Sequence, residues 1–179
     1  MSFEVNDEKL QINPMLRPRI EKVVVNVSVG KSGEPLERAM KIIEGLTGQK
    51  PCMRRAKKTI RDFGIRKKEP IACLVTLRKE RAQSFLKKAL SAVDNKIPEK
   101  SFDEHGNFSF GIKEHIDIPG TKYSPELGII GMNVSVTLSR PGQRIKLRHI
   151  GKSEIGPKHL LTRDEAVQFV KDELGIQVI

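Results

Sequence analysis

The amino-acid sequence predicts an α+β fold in which helices pack on one face of an antiparallel sheet. This is a two-layer sandwich of the RRM-like or ferredoxin-like kind, followed by a C-terminal arm. Two strand–helix units and two further alternating runs of apolar and polar residues carry this prediction. Alternation is typical of antiparallel strands with one buried face, whereas the strands of a doubly wound parallel sheet are apolar throughout. The other face of the sheet is then free for a ligand.

The first strand–helix unit begins at "RIEKVVVNVSVG", residues 19–30. Its alternation buries one face of a strand, formed by Val23, Val25, Val27 and Val29, and exposes Val24, Asn26 and Ser28 on the other. The next segment changes to helical spacing, and Gly48 is placed to end the helix. Its apolar stripe consists of Leu36, Met40, Ile43 and Leu46.

The second unit, "PIACLVTLRKERAQSFLKKALSAV", repeats this order of strand and helix. Its strand buries Ile71, Cys73, Val75 and Leu77, and its helix presents Ala82, Phe85, Leu86, Ala89 and Leu90. Two more strands follow in "GNFSFGIKEH" and "GMNVSVTLSR". The second of these directs Met132, Val134, Val136 and Leu138 inward and Asn133, Ser135 and Thr137 outward.

The segment after Arg140 differs from the preceding core. Residues 1–140 are predicted to form the core domain, with a basic loop at 54–68, and residues 141–179 an arm and a short helix. The arm is rich in Gly, Pro and basic residues, which favours extended structure. "TRDE" provides a capping box, Thr162 with Glu165, for a helix that continues to Leu174 and presents Val167 and Val170.

The charge of the chain points to an anionic partner. The 33 Lys and Arg residues exceed the 22 Asp and Glu residues by 11, and the pI is about 9.8. The window from Lys50 to Lys68 alone supplies eight of these charges. No apolar run approaches the roughly 18 residues of a membrane span, and the first ten residues do not resemble a signal peptide. Nucleic acid is therefore the expected partner, no membrane is expected, and the protein is predicted to be intracellular with reduced Cys52 and Cys73.

Several short motifs resemble catalytic or ligand sites without meeting their requirements. Each "GKS" lacks the glycine that a P-loop needs five residues earlier, and "GIIG" at 128–131 lacks a basic residue to hold a nucleic-acid backbone. The four histidines have no metal-ligand spacing. Asp103, Glu104, Glu114 and Asp117 lie in a mixed-charge segment typical of a solvated surface. We therefore predict no catalytic residue, no metal site and no cofactor.

The basic loop, "RRAKKTIRDFGIRKK", is predicted to be a tethered finger rather than a disordered charge run. Ile60, Phe63 and Ile65 alternate with its cations, and Gly64 gives it a flexible backbone. An aromatic residue among cations can stack on a base as well as attract phosphates. Pro70 at the exit anchors the loop to the following strand.

Three segments resemble a known family in order and spacing: "PRIEKVVVNVSVG", "GQKPCMRRAKKTIRDFGIRKKEPIACLVTLR" and "KSFDEHGNFSFGIKEH". The chain resembles the universal 5S rRNA-binding protein family of the large ribosomal subunit, fifth in large-subunit numbering. The arm after Pro141 resembles the archaeal and eukaryotic form. The resemblance implies a cytoplasmic, ribosome-bound structural protein of the central protuberance. Its implied partners are 5S rRNA, large-subunit rRNA, P-site tRNA and neighbouring ribosomal proteins.

The resemblance also implies two sets of contact residues. The 5S rRNA-binding set consists of Asn26, Ser28, Gly30, Gln49, Lys50, Asn133, Ser135 and Thr137. The loop that faces tRNA or rRNA consists of Arg54, Arg55, Lys57, Lys58, Thr59, Arg61, Phe63, Gly64, Ile65 and Arg66. Neutral amides and hydroxyls suit sugar and base contacts, while cations supply affinity for phosphates. The alternative function is an RNA-modifying or RNA-processing enzyme that holds its substrate with the basic loop, although no catalytic constellation is visible.

Overall fold

The computed structural model describes residues 13–121 and 123–179, so the N-terminal decapeptide considered above lies outside the described residues. The strands are β1 Arg19–Ser28, β2 Cys52–Arg55, β3 Pro70–Leu77, β4 Lys96–Ile97, β5 Phe108–Ile112, β6 Met132–Ser139 and β7 Gln177–Val178. The helices are α1 Glu34–Thr47, α2 Lys79–Ser91, α3 Arg144–Leu147 and α4 Arg163–Leu174. Short 3-10 turns lie at Glu99–Ser101, His115–Asp117 and Pro157–His159.

Five strands form one sheet in the order β2-β3-β1-β6-β5, and every neighbouring pair is antiparallel. The chain reaches β3 from β1 through α1 and β2, and it reaches β5 and β6 after α2. The order β2-β3-β1-β6 is that of a ferredoxin-like sheet, to which β5 adds an edge strand. The predicted α+β class is therefore confirmed.

The core lies between the sheet and the helices, largely on the faces that the alternation predicts. In β3, Cys73, Val75 and Leu77 are buried as predicted, whereas Ile71 is half-buried and Ala72 on the other face is buried. In β1, Val23, Val25 and Val27 are buried, whereas Val29, beyond the end of the strand, is only half-buried. All five residues of the predicted α2 stripe are buried in the same hydrophobic cluster. Each fully buried aliphatic side chain contributes about 1.5–3 kcal/mol of transfer free energy, so this cluster supplies most of the driving force for folding.

Both helix-end predictions are confirmed. Gly48 ends α1 in the left-handed conformation at φ +63°, and its N–H donates to Glu44 O at 2.8 Å. At the start of α4, Thr162 Oγ1 accepts from Glu165 N–H, and Glu165 Oε2 accepts from Thr162 N–H at 3.1 Å. This reciprocal capping box fixes where the last helix begins.

The C-terminal helix packs against the same hydrophobic cluster as the sheet. Leu161, Ala166, Val170 and Ile176 are buried there, while Val167 packs against it half-buried. After α4, the two-residue strand β7 pairs in parallel with β4, which follows α2. Between Pro141 and Leu160 the chain forms only the short helix α3 and one 3-10 turn.

Candidate nucleic-acid interface

The sheet face opposite the helices is polar and carries little charge at its centre. One row of side-by-side residues crosses all five strands, from Cys52 through Leu74, Asn26 and Asn133 to Gly111. A second row contains Thr76, Val24, Ser135 and Ser109. Ser28, Asn133 and Ser135 are exposed, and Asn26 and Thr137 are half-buried. The structure therefore brings these five predicted residues together on one surface.

Two asparagines at the middle of this face lie directly opposite each other on β1 and β6. Asn26 Nδ2 donates to Ser28 Oγ at 3.3 Å, so two of the predicted contact residues on β1 are joined to each other. A Cβ at Gly111 would lie 3.4 Å from Asn133 Oδ1, so the glycine leaves space beside that amide. The pair offers donors and acceptors with no net charge.

The other three residues predicted to bind 5S rRNA lie at the margin of this face. Gly30 follows β1 at φ +78°, and its N–H donates to Ile71 O at 2.9 Å. Gln49 and Lys50 connect α1 to β2, where Lys50 is exposed and Gln49 is half-buried. Since neighbouring strands lie about 4.8 Å apart, β2 places these two residues roughly 10 Å from the Asn26 strand.

The basic loop forms a hairpin between β2 and β3. Ile60 and Ile65 exchange two backbone hydrogen bonds, at 2.9 and 3.0 Å. Gly64 closes the turn at φ +66°, in the left-handed region that favours glycine, and donates to Arg61 O at 2.9 Å. Thr59 Oγ1 accepts from Lys67 N–H at 3.0 Å, which joins the two sides of the hairpin below its tip.

Glu69 braces the base of this hairpin. Its carboxylate accepts from Ser32 Oγ at 2.6 Å and from Arg66 N–H at 2.9 Å. The Ser32 hydrogen bond is the main reason that the pKa of Glu69 is lowered, followed by the bond from Arg66. Ala56 is buried and exchanges backbone bonds with Glu69 and Lys68. Both ends of the loop are thereby tied to the sheet and to the loop before α1.

The hairpin presents unpaired cations and apolar side chains to solvent. Among the described residues, none of its Lys or Arg side chains forms a salt bridge. Phe63 at the tip is 75% exposed and Ile60 is 42% exposed. Exposed apolar side chains interleaved with cations are typical of surfaces that bind single-stranded nucleic acid.

The hairpin leaves the sheet next to the polar face, and strand register relates the two through buried Ala72. Arg54 belongs to β2 and lies opposite Ala72, which in turn lies opposite Ser28. The first cation of the loop is therefore two strands from the polar row on β1. Sequence reasoning did not assign Ser109 and Gly111 to this face, although the alternation of "GNFSFGIKEH" would have done so.

Several of the residues considered in the sequence for catalysis or metal binding lie in turns or in the buried core. Asp103 accepts from His105 N–H and Asn107 N–H in a tight turn. His115 is buried, which lowers its pKa, and its Nδ1 accepts from Ile130 N–H at 3.4 Å. Burial raises the pKa of the Cys73 thiol to about 11, and both cysteines are free. Over residues 13–121 and 123–179 no group of three potential ligands is placed to hold a metal ion.

No described helix has the length and apolar composition to cross a membrane.

Known proteins are similar to this chain over nearly its whole length. The family model described as "Ribosomal protein L5" matches residues 13–66, and the model that describes the C-terminus of the same ribosomal protein family matches residues 70–174. Three proteins named "Large ribosomal subunit protein uL5" are close relatives. That of Pyrobaculum aerophilum is 54% identical over 166 residues, 93% of each chain. That of Aeropyrum pernix is 53% identical over 168 residues, 93% of this chain and 88% of the relative. That of Nitrosopumilus maritimus is 47% identical over 166 residues, 93% of this chain and 96% of the relative. The resemblance seen in the sequence is confirmed, and the chain belongs to the uL5 family of large-subunit ribosomal proteins.

Proposed function

We propose that the protein binds 5S rRNA through the polar sheet face, attaches it to the large subunit in the central protuberance, and contacts P-site tRNA through the basic hairpin. As a member of a ribosomal protein family it is a component of the large subunit and is located in the cytoplasm as part of the ribosome. The observation that carries the proposal is the combination, on one sheet, of a neutral polar face and a cationic, aromatic-tipped hairpin.

The chemistry of the sheet face suits RNA. The minor groove of an A-form helix is wide and shallow and displays 2′-hydroxyls and base edges, so a flat surface can reach them. Amides at Asn26 and Asn133 and hydroxyls at Ser28 and Ser135 both donate and accept, as these groups require. Phosphate contacts to surrounding cations would add affinity without reading sequence.

The hairpin suits a second and different RNA contact. Its backbone is preorganised by local hydrogen bonds, so little ordering entropy is lost on binding. The exposed Phe63 ring can stack on a base or ribose, while the flanking arginines reach phosphates. The enzyme alternative gains no support from the described residues, and the relatives are named as ribosomal subunit proteins.

The test replaces the two central amides, as Asn26→Ala with Asn133→Ala. We expect affinity for 5S rRNA to fall by about 1–3 kcal/mol, or roughly 5- to 150-fold, since each lost hydrogen bond is worth about 0.5–1.5 kcal/mol. The matched control, Gln83→Ala with Ser84→Ala, removes an exposed amide and hydroxyl from α2 in the helix layer. Equal affinity of the folded double variant and the control would remove the sheet face from the 5S site.

A further inference from the structure

A second cationic projection leaves the sheet at the end opposite the hairpin. The hairpin ends where β3 begins, and Leu74 on β3 is in one row with Asn26 and Asn133. Asn133 is near the start of β6, so the last residue of β6, Ser139, lies at the far end of the sheet. The eight residues of β6 span about 25 Å at roughly 3.4 Å each. The segment 142–153, called here the cationic arm, starts beyond that end.

The cationic arm combines positive charge with exposed apolar side chains. It contains Arg144, Lys146, Arg148 and Lys152 and no acidic residue. Among the described residues none of these four forms a salt bridge. Leu147 is 74% exposed and Ile150 is 86% exposed. Single exposed apolar residues are ordinary, but two within four positions, set among cations, indicate a surface that a partner covers.

The arm is tied down at both ends. Arg140 is buried, and its guanidinium donates to Glu165 Oε1 at 2.7 Å, to Lys158 O at 3.2 Å and to Leu160 O at 3.4 Å. His159 Nε2 donates to Pro141 O at 2.8 Å. These bonds join the chain just before the arm to the chain just after it, across the start of α4.

The arm also has internal order. Arg148 N–H donates to Arg144 O at 2.9 Å, and Arg148 Nε donates to Gly151 O at 2.6 Å. Ser153 N–H reaches back to Ile145 O at 3.4 Å. The side chains of Arg144 and Lys146 are exposed and free of described hydrogen-bond partners. The fold thus holds the arm in place while leaving these two cations available to a ligand.

We propose that the cationic arm is a separate RNA-binding site, which contacts large-subunit rRNA through its cations and packs Leu147 and Ile150 against sugar and base surfaces. The arm has four cations and no acidic residue, so an anionic polymer is the partner that its charge favours. The inference rests on the proposed function only because it takes RNA as that polymer. Its distance from the hairpin lets the two projections contact separate RNA segments on either side of the 5S-binding face.

The experiment measures binding of the full chain to deproteinised large-subunit rRNA and, separately, to 5S rRNA over a range of salt concentrations. The charge variant is Arg144→Gln with Lys146→Gln, and the apolar variant is Leu147→Ser with Ile150→Ser. Loss of two phosphate contacts should make the slope of log affinity against log salt shallower by about 1.5 and lower affinity roughly 30-fold at about 0.1 M salt. The apolar variant should bind more weakly with an unchanged slope, and both variants should bind 5S rRNA within about twofold of the parent.

The matched control, Lys41→Gln with Lys88→Gln, removes the same charge from exposed positions on α1 and α2. If the charge variant and this control lose the same affinity for large-subunit rRNA, the arm contributes only to the overall positive charge of the protein, and the proposal is overturned. Unchanged RNA affinity with poor incorporation into subunits would assign the arm to a protein contact instead. Loss of 5S rRNA affinity in the arm variants would show that the arm is part of the 5S site and would overturn the proposal of a separate site. If the parent protein does not bind 5S rRNA but the arm variants still bind large-subunit rRNA more weakly than the parent, only the proposed function is contradicted.

Discussion

Removing the tip of the basic hairpin should separate tRNA contact from 5S attachment. The variant replaces residues 59–66 by a two-residue Gly-Ser link. The bonds lost are local, chiefly the Ile60–Ile65 pair and the turn that Gly64 closes. The backbone bonds of buried Ala56 to Glu69 and Lys68 remain, so the base of the hairpin still joins the sheet.

The expected cost to the fold is small. The 12 residues between Ala56 and Glu69 become six. Halving the loop lowers the entropic cost of closing it by about 0.6 kcal/mol, which stabilises the variant. The bond that Glu69 accepts from Arg66 N–H is also lost, but it lies at an exposed site, so water replaces that bond at little cost. The free energy of unfolding should therefore change by no more than about 1–2 kcal/mol. The excised segment contains Arg61, Asp62 and Arg66, so net charge falls by only one from +11 and long-range attraction of RNA is nearly unchanged.

The assays are 5S binding by the purified variant and dissociation of P-site tRNA from ribosomes that carry it. We expect 5S affinity within about threefold of the parent, and tRNA dissociation faster by roughly tenfold or more because stacking on an aromatic ring is worth about 1–3 kcal/mol per base. Phe63→Ala, which keeps the hairpin, should give an intermediate rate. Loss of 5S binding with unchanged tRNA retention would reverse the assignment of the two surfaces.

Three further predictions concern the fold. Gly106→Ala should lower the free energy of unfolding by about 2–4 kcal/mol in denaturant titration, because Gly106 has φ +76° and a Cβ there would lie 2.7 Å from a buried alanine Cβ on α4. Its control, Gly45→Ala at an open position in the last turn of α1, should stabilise the protein by up to about 1 kcal/mol. At pH 8, an alkylating reagent should modify exposed Cys52 and spare buried Cys73 until denaturant is added, and equal labelling rates would contradict the structure. Because burial lowers the pKa of His115 in the folded state below its unfolded value of about 6.5, the unfolding free energy should fall as pH drops below that value. His115→Gln should have a shallower pH dependence, and an unchanged slope would refute this origin.

The sequence was most informative where a pattern repeats within one element. Alternation in β1 and β6 identified both the buried and the exposed faces, and helical spacing identified the buried stripe of α2. The capping box at Thr162 was predictable because its two hydrogen bonds join residues three positions apart. In contrast, β2 was not predicted, since "CMRR" is exposed throughout and has no apolar periodicity. It becomes a strand only because β3 offers it an edge with which to pair.

The same distinction between local and distant interactions applies to the site. The polar residues of β1 and β6 were predictable, but their alignment in one row depends on strand register, which no single segment determines. Arg54 was predicted as a loop residue, and its position beside the polar face follows from β2 pairing. The Arg140–Glu165 contact joins residues 25 positions apart, so no local pattern indicates that the cationic arm is closed at its base.

Local hydrogen bonds at the tip and at the base hold the shape of the basic hairpin. A run of eight Lys and Arg residues repels itself, and a flexible loop of that composition would bind any polyanion with a large loss of conformational entropy. Here the backbone bonds at the tip and the Glu69 carboxylate at the base offset part of that repulsion. The Glu69 carboxylate accepts hydrogen bonds from Ser32 Oγ and from a backbone N–H. It therefore stabilises the base of the hairpin without forming a salt bridge with any of the described cations. The cations therefore stay available for phosphates while Phe63 is held at a fixed position, and a contact of this kind discriminates by geometry as well as by charge.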